Sequence, residues 1–351
     1  MAQPERAQQP KVLTPTSDLT REQWLEFRRK GIGGSDAASV LGISPFRTGV
    51  DLYYDKIGLP VEDGEENWVA MEVGTQLEDL VARIFEKKTG LKVIPIKFML
   101  QHAEHPFMLA DIDRMVMFPG GGNAILECKT TNYNARDKWE YDGKPIVPDY
   151  YEAQGRHYMA VMNLDRVYYC CLYGNNEDEV IIRHIDRDKE YEAELIALEE
   201  NFWMNHVQAK VPPSYVERDG GLILDSLLRR LGPSYKDMPP VALTDAQSEK
   251  VRRYVELKGQ KSALNASVKA LDAEMERLKA LIVADMGESW SAAYEDEGGS
   301  YTVTFKPSYS EGILKDNLLR LKDAHPDIYA QYATTSESRR FNVKYAAAKA
   351  A

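Results

Sequence analysis

MLADIDRMVMFPGGGNAILECKT, residues 108–130, is the stretch that decides the fold. Met108 to Phe118 is apolar and β-prone, Pro119 with three glycines makes a turn, and Ala124 to Cys128 is a second apolar run. The stretch reads as two neighbouring strands joined by a tight connection. Alternate side chains of a strand share a face, so Glu127 and Lys129 point the same way at the end of the second strand. Asp113, expected in the first strand, brings another carboxylate within reach of the same point. Magnesium takes hard oxygen ligands and keeps part of its water. Asp113, Glu127 and the backbone carbonyl of Cys128 offer such oxygens and leave room for a phosphate and a water. Lys129 beside them can hold or deprotonate that water and offset phosphate charge. Oxygen donors also admit manganese. The Glu-x-Lys triplet alone says little, because it recurs at Glu86 and Glu256 on helical patterns, and a strand-end ion pair would look the same. The setting beside Asp113 is what singles out Glu127.

Outward from this stretch the pattern is that of an α/β core. On the N-terminal side, Val69, Val73, Leu77, Leu80, Val81, Ile84 and Phe85 fall at helical spacing over Asn67 to Thr89, with Gly90 as the stop and a strand over Leu91 to Phe98. On the C-terminal side the expectation is a helix over Asp149 to Met162, strands over Val167 to Tyr173 and Glu179 to His184, and a helix over Asp188 to Val207. Nearer the start, Thr20 and Gln23 form a capping-box pair for a helix to about Arg29, Ser35 suits the N-cap of a helix over Ala37 to Leu41, and a third runs from Thr48 to about Ile57. Past Pro212 and Pro213 the chain becomes a long charged helix over Thr244 to Met286 with an apolar stripe. A hairpin about Gly298 and Gly299, a helix over Leu314 to Lys322 and an Ala/Lys tail after Tyr345 follow it. The expected division is a flexible tail over 1–15, a core over 16–212, a linker over 213–234 and a helical, coiled-coil-like module over 235–351.

The net charge of −11 is the wrong sign for a protein that coats nucleic acid non-specifically, though carboxylates gathered around cations and a local basic groove are compatible with it. The three cysteines, Cys128, Cys170 and Cys171, have no spacing suited to zinc, an iron-sulfur cluster or a disulfide framework. With neither an apolar signal core in the opening residues nor a membrane-length apolar run, the expectation is a cytoplasmic protein without a membrane partner.

A set of blocks raises this reading further. Trp24-x-x-x-Arg28, Ile32-Gly-Gly-Ser-Asp36, Gly74-x-x-x-Glu78, Asp113, Glu127-Cys-Lys129 and Gln154 with Tyr158-Met159 together resemble the YqaJ viral recombinase family, relatives of the lambda phage exonuclease, over about Leu19 to Val207. The resemblance implies a restriction-endonuclease-like core, a central mixed sheet flanked by helices. It also implies magnesium-dependent 5′ to 3′ digestion of one strand of linear duplex DNA, in a phage or prophage setting, leaving a 3′ single strand for an annealing protein. Carried over by position, Asp113, Glu127, the Cys128 carbonyl and Glu78 would hold the metal, Lys129 would activate water, and Gln154 would orient Lys129 or the water. Arg28 and Ser35 would hold the 5′-terminal phosphate, a sensible pairing of a guanidinium fork with a hydroxyl near a helix start. A trimeric ring threading duplex DNA is also implied.

Asp111 departs from the pattern, since a carboxylate there would repel phosphate unless it faces a metal or Arg28. Plainer readings run alongside: Glu78 as a solvated charge, Ser35 as an N-cap only, Gln154 and His157 as structural polar groups. The rival functions are a structure- or site-specific endonuclease on the same core and a catalytically silent binding scaffold.

Overall fold

The computed structural model describes residues 9–59, 68–230, 239, 242, 244–311, 315–332 and 335–347. Two compact units divide the chain at residues 236 and 237.

The first unit begins with β1 (Lys11–Pro15), α1 (Arg21–Arg28), β2 (Ile32–Gly33), α2 (Gly34–Val40) and α3 (Gly49–Lys56). Then come α4 (Trp68–Thr89), β3 (Lys92–Pro95), β4 (Phe98–Gln101), β5 (Met108–Ala110), β6 (Arg114–Met117) and β7 (Asn123–Thr130). After a 3-10 turn, β8 (Glu140–Tyr141) and β9 (Lys144–Pro145) form a small ribbon. They lead into α5 (Asp149–Met162), β10 (Arg166–Leu172), β11 (Val180–Asp186), α6 (Lys189–Phe202) and α7 (Gly220–Arg230). The main sheet has the order β11-β10-β7-β6-β3, and only the central β7–β10 pair is parallel. This is the expected mixed sheet flanked by helices.

The alternation along β7 decides what each face meets. Ala124 and Leu126 join Val81, Ala82 and Phe85 of α4 in one buried cluster. Ile125 belongs to the other cluster, with Tyr158 and Met159 of α5 and Tyr169 of β10. Glu127 and Lys129, in phase with Ile125, therefore face α5. The approach is close at Gly155, where a Cβ would lie 1.9 Å from the Tyr169 hydroxyl oxygen, so only glycine lets α5 settle on the sheet. That hydroxyl donates to the Tyr151 carbonyl at 2.8 Å.

Two expected strands are broken, and at neighbouring places. The strand read over Leu91 to Phe98 divides into β3 and β4, and that read over Met108 to Phe118 divides into β5 and β6. In each case one half joins the main sheet and the other joins a second sheet of order β1-β4-β5-β2. Apolar and β-prone residues continue through both breaks, although burial ranges from mostly exposed in β3 to complete in β5, so the sequence shows no boundary. Asp113 consequently lies in the bend just before β6, not within a strand.

Other expectations also change. Of the tail read over 1–15, residues 11–15 form β1, paired antiparallel with β4. Ser35 is not an N-cap but the second residue of α2: Gly33 occupies the cap, and its N–H donates to Asp36 Oδ2 at 2.9 Å. The final expected helix of the core ends in a π-helical turn over Trp203–Gln208. The stretch read as a linker, 213–234, carries α7, and its last residues from 231 lie outside the described ones. Glu217 accepts the Gly49 N–H at 2.7 Å, and Asp51 accepts from Ser226 at 2.9 Å and Arg230 at 2.5 Å, which ties this segment to the start of α3.

The second unit holds α8 (Asp245–Met286), β12 (Ser291–Asp296), β13 (Gly299–Glu311), α9 (Lys315–Ala324), α10 (Pro326–Tyr332) and β14 (Thr335–Ala347). The expected hairpin is the β12–β13 pair. It belongs to an antiparallel sheet of order β12-β13-β14, whose long third strand occupies the stretch between the expected helix and the tail after Tyr345, where no element was expected, and runs into the first residues of that tail. Among the described residues no helix is long and apolar enough to cross a membrane.

Candidate active site

The ends of β7 and β6 and the first turns of α5 bring Asp113, Glu127, Lys129 and Gln154 together. Beyond the last β6–β7 partners, Arg114 and Leu126, Asp113 caps the open edge of β7: its Oδ2 accepts the Cys128 N–H at 2.8 Å. Within a strand the N–H and C=O of one residue face the same edge, so the Cys128 carbonyl also faces Asp113. The Cys128 side chain packs with the α4 cluster, and burial pushes its thiol pKa well up. The residue can offer its carbonyl to the site, but not its sulfur.

Glu127 is fully buried. Its Oε2 accepts from Lys129 Nζ and from Gln154 Nε2, each at 2.8 Å, and Gln154 Oε1 accepts from Lys129 at 3.1 Å. Gln154 is thus a brace holding both charged partners. Lys129 Nζ lies 4.9 Å from the centre of the Tyr151 ring. Burial favours neutral Lys129, but Glu127 and Asp113 outweigh it and hold the ammonium above its ordinary pKa. In this arrangement Lys129 is a donor to water or phosphate and not a ready base. The carboxyls are under-compensated: burial first, then the Asp113 charge, push Glu127 up to about 8, and Asp113 is itself raised by burial.

Glu127 Oε1 is buried with no hydrogen-bond partner. An orphaned carboxylate oxygen is costly in a dry site, and a cation beside it would relieve both the orphan and the repulsion from Asp113. By this test the residues fit a magnesium-type ion: Asp113, Glu127 and the Cys128 carbonyl are hard oxygen donors. Glu78 lies near but is otherwise occupied, its Oε1 bound by Arg114, which also bonds Asp79 and donates to the Asp113 carbonyl at 2.7 Å. Burial and then Asp113 raise the Glu78 pKa, which fits a carboxyl at the margin of the acidic group. Among the described residues no group of three or more His, Cys, Asp and Glu is placed to hold a metal ion by side chains alone, so a backbone oxygen such as the Cys128 carbonyl and water would have to complete the set.

A cleft of about 740 Å³ opens in front of these groups, lined at one side by Asp113, Arg114, Glu78 and Gln154 and at the other by Trp24, Arg28, Gly34 and Ser35. Glu127 and Lys129 stand behind its wall. At the far side Arg28 Nη2 donates to Ser35 Oγ at 2.7 Å and to Asp36 Oδ1 at 2.8 Å. Asp36 has no exposed surface and also pairs with Arg47 and with buried Lys56, at 2.7 Å for the latter. Lys56 further donates to the Arg28 carbonyl at 2.8 Å. Burial would raise the Asp36 pKa, but Lys56, Arg28 and Arg47 hold the carboxyl well below the usual range, while burial lowers Lys56 to about 8 despite Asp36. Asp55, paired with Arg29 and Arg47, is the only other acid joined to this group by the ion pairs described, so cations exceed carboxylates. The surplus faces the cleft at Arg28. Gly34 keeps this end tight, since a Cβ would come within 2.5 Å of the Tyr158 ring.

Asp111 sits between the two ends. Its Oδ2 accepts the Trp24 indole N–H at 2.7 Å, and the Arg28 guanidinium lies 4.9 Å from the centre of that ring. Its carboxylate is therefore occupied from the side of Arg28. Burial and then the charge of Asp113 raise its pKa, against the pull of Trp24 and Arg28.

Of the residues given roles from the sequence, Arg28, Ser35, Glu78, Asp113 and Gln154 line this cleft and Glu127, Cys128 and Lys129 stand behind its wall, while His157 lies apart. That residue is fully buried and bridges Glu199, at 2.8 Å, and the Leu109 carbonyl, at 2.8 Å, a structural role as read. Asp36, Arg47, Lys56, Arg114 and Trp24 carry the electrostatics but were not read as functional. Asp36 shows locally as the third residue after the Gly33 cap and as the end of the Ile32-Gly-Gly-Ser-Asp36 block. Arg47 and Lys56 reach it across a turn no short pattern spans.

The YqaJ-like viral recombinase domain family matches residues 23–165, a span containing all the residues named at the cleft. The YqaJ protein of Bacillus subtilis is 33% identical over 337 residues, covering 95% of this chain and 97% of that one. Among solved structures, the alkaline exonuclease LHK-Exo of Laribacter hongkongensis is 19% identical over 60% of this chain and 100% of its own, with a TM-score of 0.45. A phage related exonuclease from Haemophilus somnus is 13% identical over 53% of this chain and 99% of its own, with a TM-score of 0.35.

Proposed function

Because the chain belongs to the YqaJ-like viral recombinase family, we propose that it is a metal-dependent deoxyribonuclease that degrades one strand of linear duplex DNA, 5′ to 3′. The observation that supports this most is the buried Glu127, with an orphaned oxygen and a charge that Asp113 opposes, set behind a cleft whose other wall carries surplus positive charge at Arg28.

In this reading Asp113, Glu127 and the Cys128 carbonyl hold magnesium, or manganese, with Glu78 joining them when Arg114 releases it. When bound, the ion would supply Lewis-acid polarisation of the phosphate and neutralise the carboxylates. Lys129 holds the attacking water by donating to it and offsets charge gathering on the phosphate. Gln154 keeps the Lys129 ammonium and the Glu127 carboxylate in register. Arg28 and Ser35 bind the 5′-terminal phosphate, with Asp36 as the fixed anchor of the Arg28 fork. A single strand left by such digestion is the substrate of an annealing protein, which we take as the functional partner, in the cytoplasm of a bacterial host. A trimeric ring threading the duplex, as the resemblance implies, would keep an acidic protein on DNA by topology.

The test is digestion of linear duplex labelled at one 5′ end, with and without a 5′ phosphate, beside an uncut circle, using wild type and Lys129→Ala. The expected result is loss of the linear substrate alone, abolished by EDTA and slowed about 10²–10³-fold by the substitution. Cutting of the circle would favour the endonuclease on the same core; no cutting of either would favour the binding scaffold.

A further inference from the structure

Helix α8 runs for 42 residues, roughly 60 Å, and none of its residues is buried. From Tyr254 its apolar residues recur alternately three and four positions apart, the spacing of a coiled-coil seam. Leu257, Leu264, Leu271 and Leu278 fill one seam position in successive heptads; Val268, Met275 and Ile282 fill the other. The leucines are between 45% and 66% exposed. A strict seven-residue repeat drifts about 20° per heptad around a straight helix, so it matches a second helix wound with it better than a flat surface. Among the described residues no other helix has such a seam. The next longest, α4 with 22 residues, places its apolar face on the main sheet.

Two charged residues interrupt the seam, Lys261 and Asp285, and they identify the occupant. In a parallel pair each would meet its own copy, lysine against lysine and aspartate against aspartate. In an antiparallel pair with its twofold axis at Ala273, Lys261 faces Asp285 of the second copy at both ends. Between them lie only apolar layers: Leu264 with Ile282, Val268 with Leu278, and Leu271 with Met275.

We propose that α8 pairs antiparallel with α8 of a second copy of this chain, with Lys261 and Asp285 setting the register. A polar residue at a seam position is a known means of fixing register at some loss of stability. The cost falls at the axis, where Asp272 and Glu274 approach their own copies. Glu274 is already engaged by Arg277 at 3.4 Å, and exposed like charges are screened by salt. The pairing does not depend on the nuclease reading.

The test is light scattering on the full chain as wild type, Lys261→Glu, Asp285→Lys and the double reversal, with helix content followed by circular dichroism. All the substituted positions are exposed, so the fold is not at stake. The wild type should have a mass that is an even multiple of the chain, six chains where the trimeric ring of the proposed function also forms and α8 joins two rings. Each single reversal should weaken association about tenfold or more, the scale of a charged pair set in conflict, and the double reversal should restore it. A monomer, a lone trimeric ring not joined to a second ring, single reversals without effect, or a double reversal that fails to rescue would each overturn the pairing. So would ready disulfide linkage of Leu257→Cys, which only a parallel pair brings together. DNA digestion, measured separately, keeps a failure of this pairing distinct from a failure of the proposed activity.

Discussion

The two walls of the cleft solve opposite electrostatic problems. Behind one, Glu127 and Asp113 share a single nearby ammonium and both have raised pKa values. In the other, Asp36 is met by Arg28, Arg47 and Lys56 and is held low. Burial opposes charge at both places, and the difference in direction follows the stoichiometry: one side lacks a cation and the other has cations to spare. A site of that shape can take a cation at one end and an anion at the other, which is the demand of binding a nucleic-acid terminus beside the phosphodiester to be cut. The anionic wall is built on one strand end and its neighbours, and the cationic wall on three short helices.

The largest expected effect lies on the cationic wall and concerns stability. Asp36→Asn removes the only carboxylate that touches Arg28, Arg47 and Lys56 together and leaves buried charge unpaired, which should cost about 3–5 kcal/mol. The sign with pH follows from the depressed pKa of Asp36. Its contribution is fully present above the ordinary carboxylate value of about 3.9 and is lost as pH falls through the folded-state value. Urea unfolding should therefore show wild type and variant converging below about pH 4; a gap unchanged with pH would mean that Asp36 is not held as an ion. On the anionic wall, Lys129→Ala should reduce turnover by about 10²–10³, the range for loss of one preorganised donor, measured on protein shown by circular dichroism to remain folded. A loss below tenfold would make Lys129 a structural partner of Glu127 only.

The same contrast explains what could be read without coordinates. The anionic wall was legible because it is local: Glu127 and Lys129 share a face by strand periodicity, and a turn brings Asp113 beside them. The cationic wall was half legible. Arg28 and Ser35 stand out in a short block, but Arg47 and Lys56 reach Asp36 only through the turn before α3 and its last residue, and no periodic signal marks that. The sheet exchange at β3–β4 and β5–β6 was hidden for a similar reason. A strand that changes sheets keeps its apolar alternation, and the break shows only in its partners. At the other extreme α8 was plain, since a seven-residue repeat needs no tertiary partner to be seen, while most of β14 falls between the expected helix and the tail after Tyr345, where Ser336, Glu337, Ser338, Arg339 and Arg340 break the apolar alternation.

A smaller effect should separate binding of the terminus from chemistry. Arg28→Ala removes a charge-assisted donor whose loss costs about 1.5–3 kcal/mol, so preference for a 5′-phosphorylated end should fall about ten- to a hundredfold. Cutting at saturating DNA should fall much less. Arg28→Lys should recover only part of the preference, because an ammonium cannot serve Ser35, Asp36 and a phosphate with one planar fork.

The smallest effect is expected at Asp111, between the walls, and its sign is the informative part. If the Trp24 indole merely hides a carboxylate that repels phosphate, Asp111→Asn keeps an acceptor for the indole N–H and removes the charge. Phosphorylated ends should then bind slightly tighter, by less than about tenfold, as for a single screened charge. If Asp111 instead tethers Trp24 so that Arg28 is held against the ring, the asparagine should bind them about as wild type does. Asp111→Ala, which loses the acceptor, should then weaken them. Measuring both variants on phosphorylated and unphosphorylated ends distinguishes the cases, and tighter binding by both would assign Asp111 to repulsion alone.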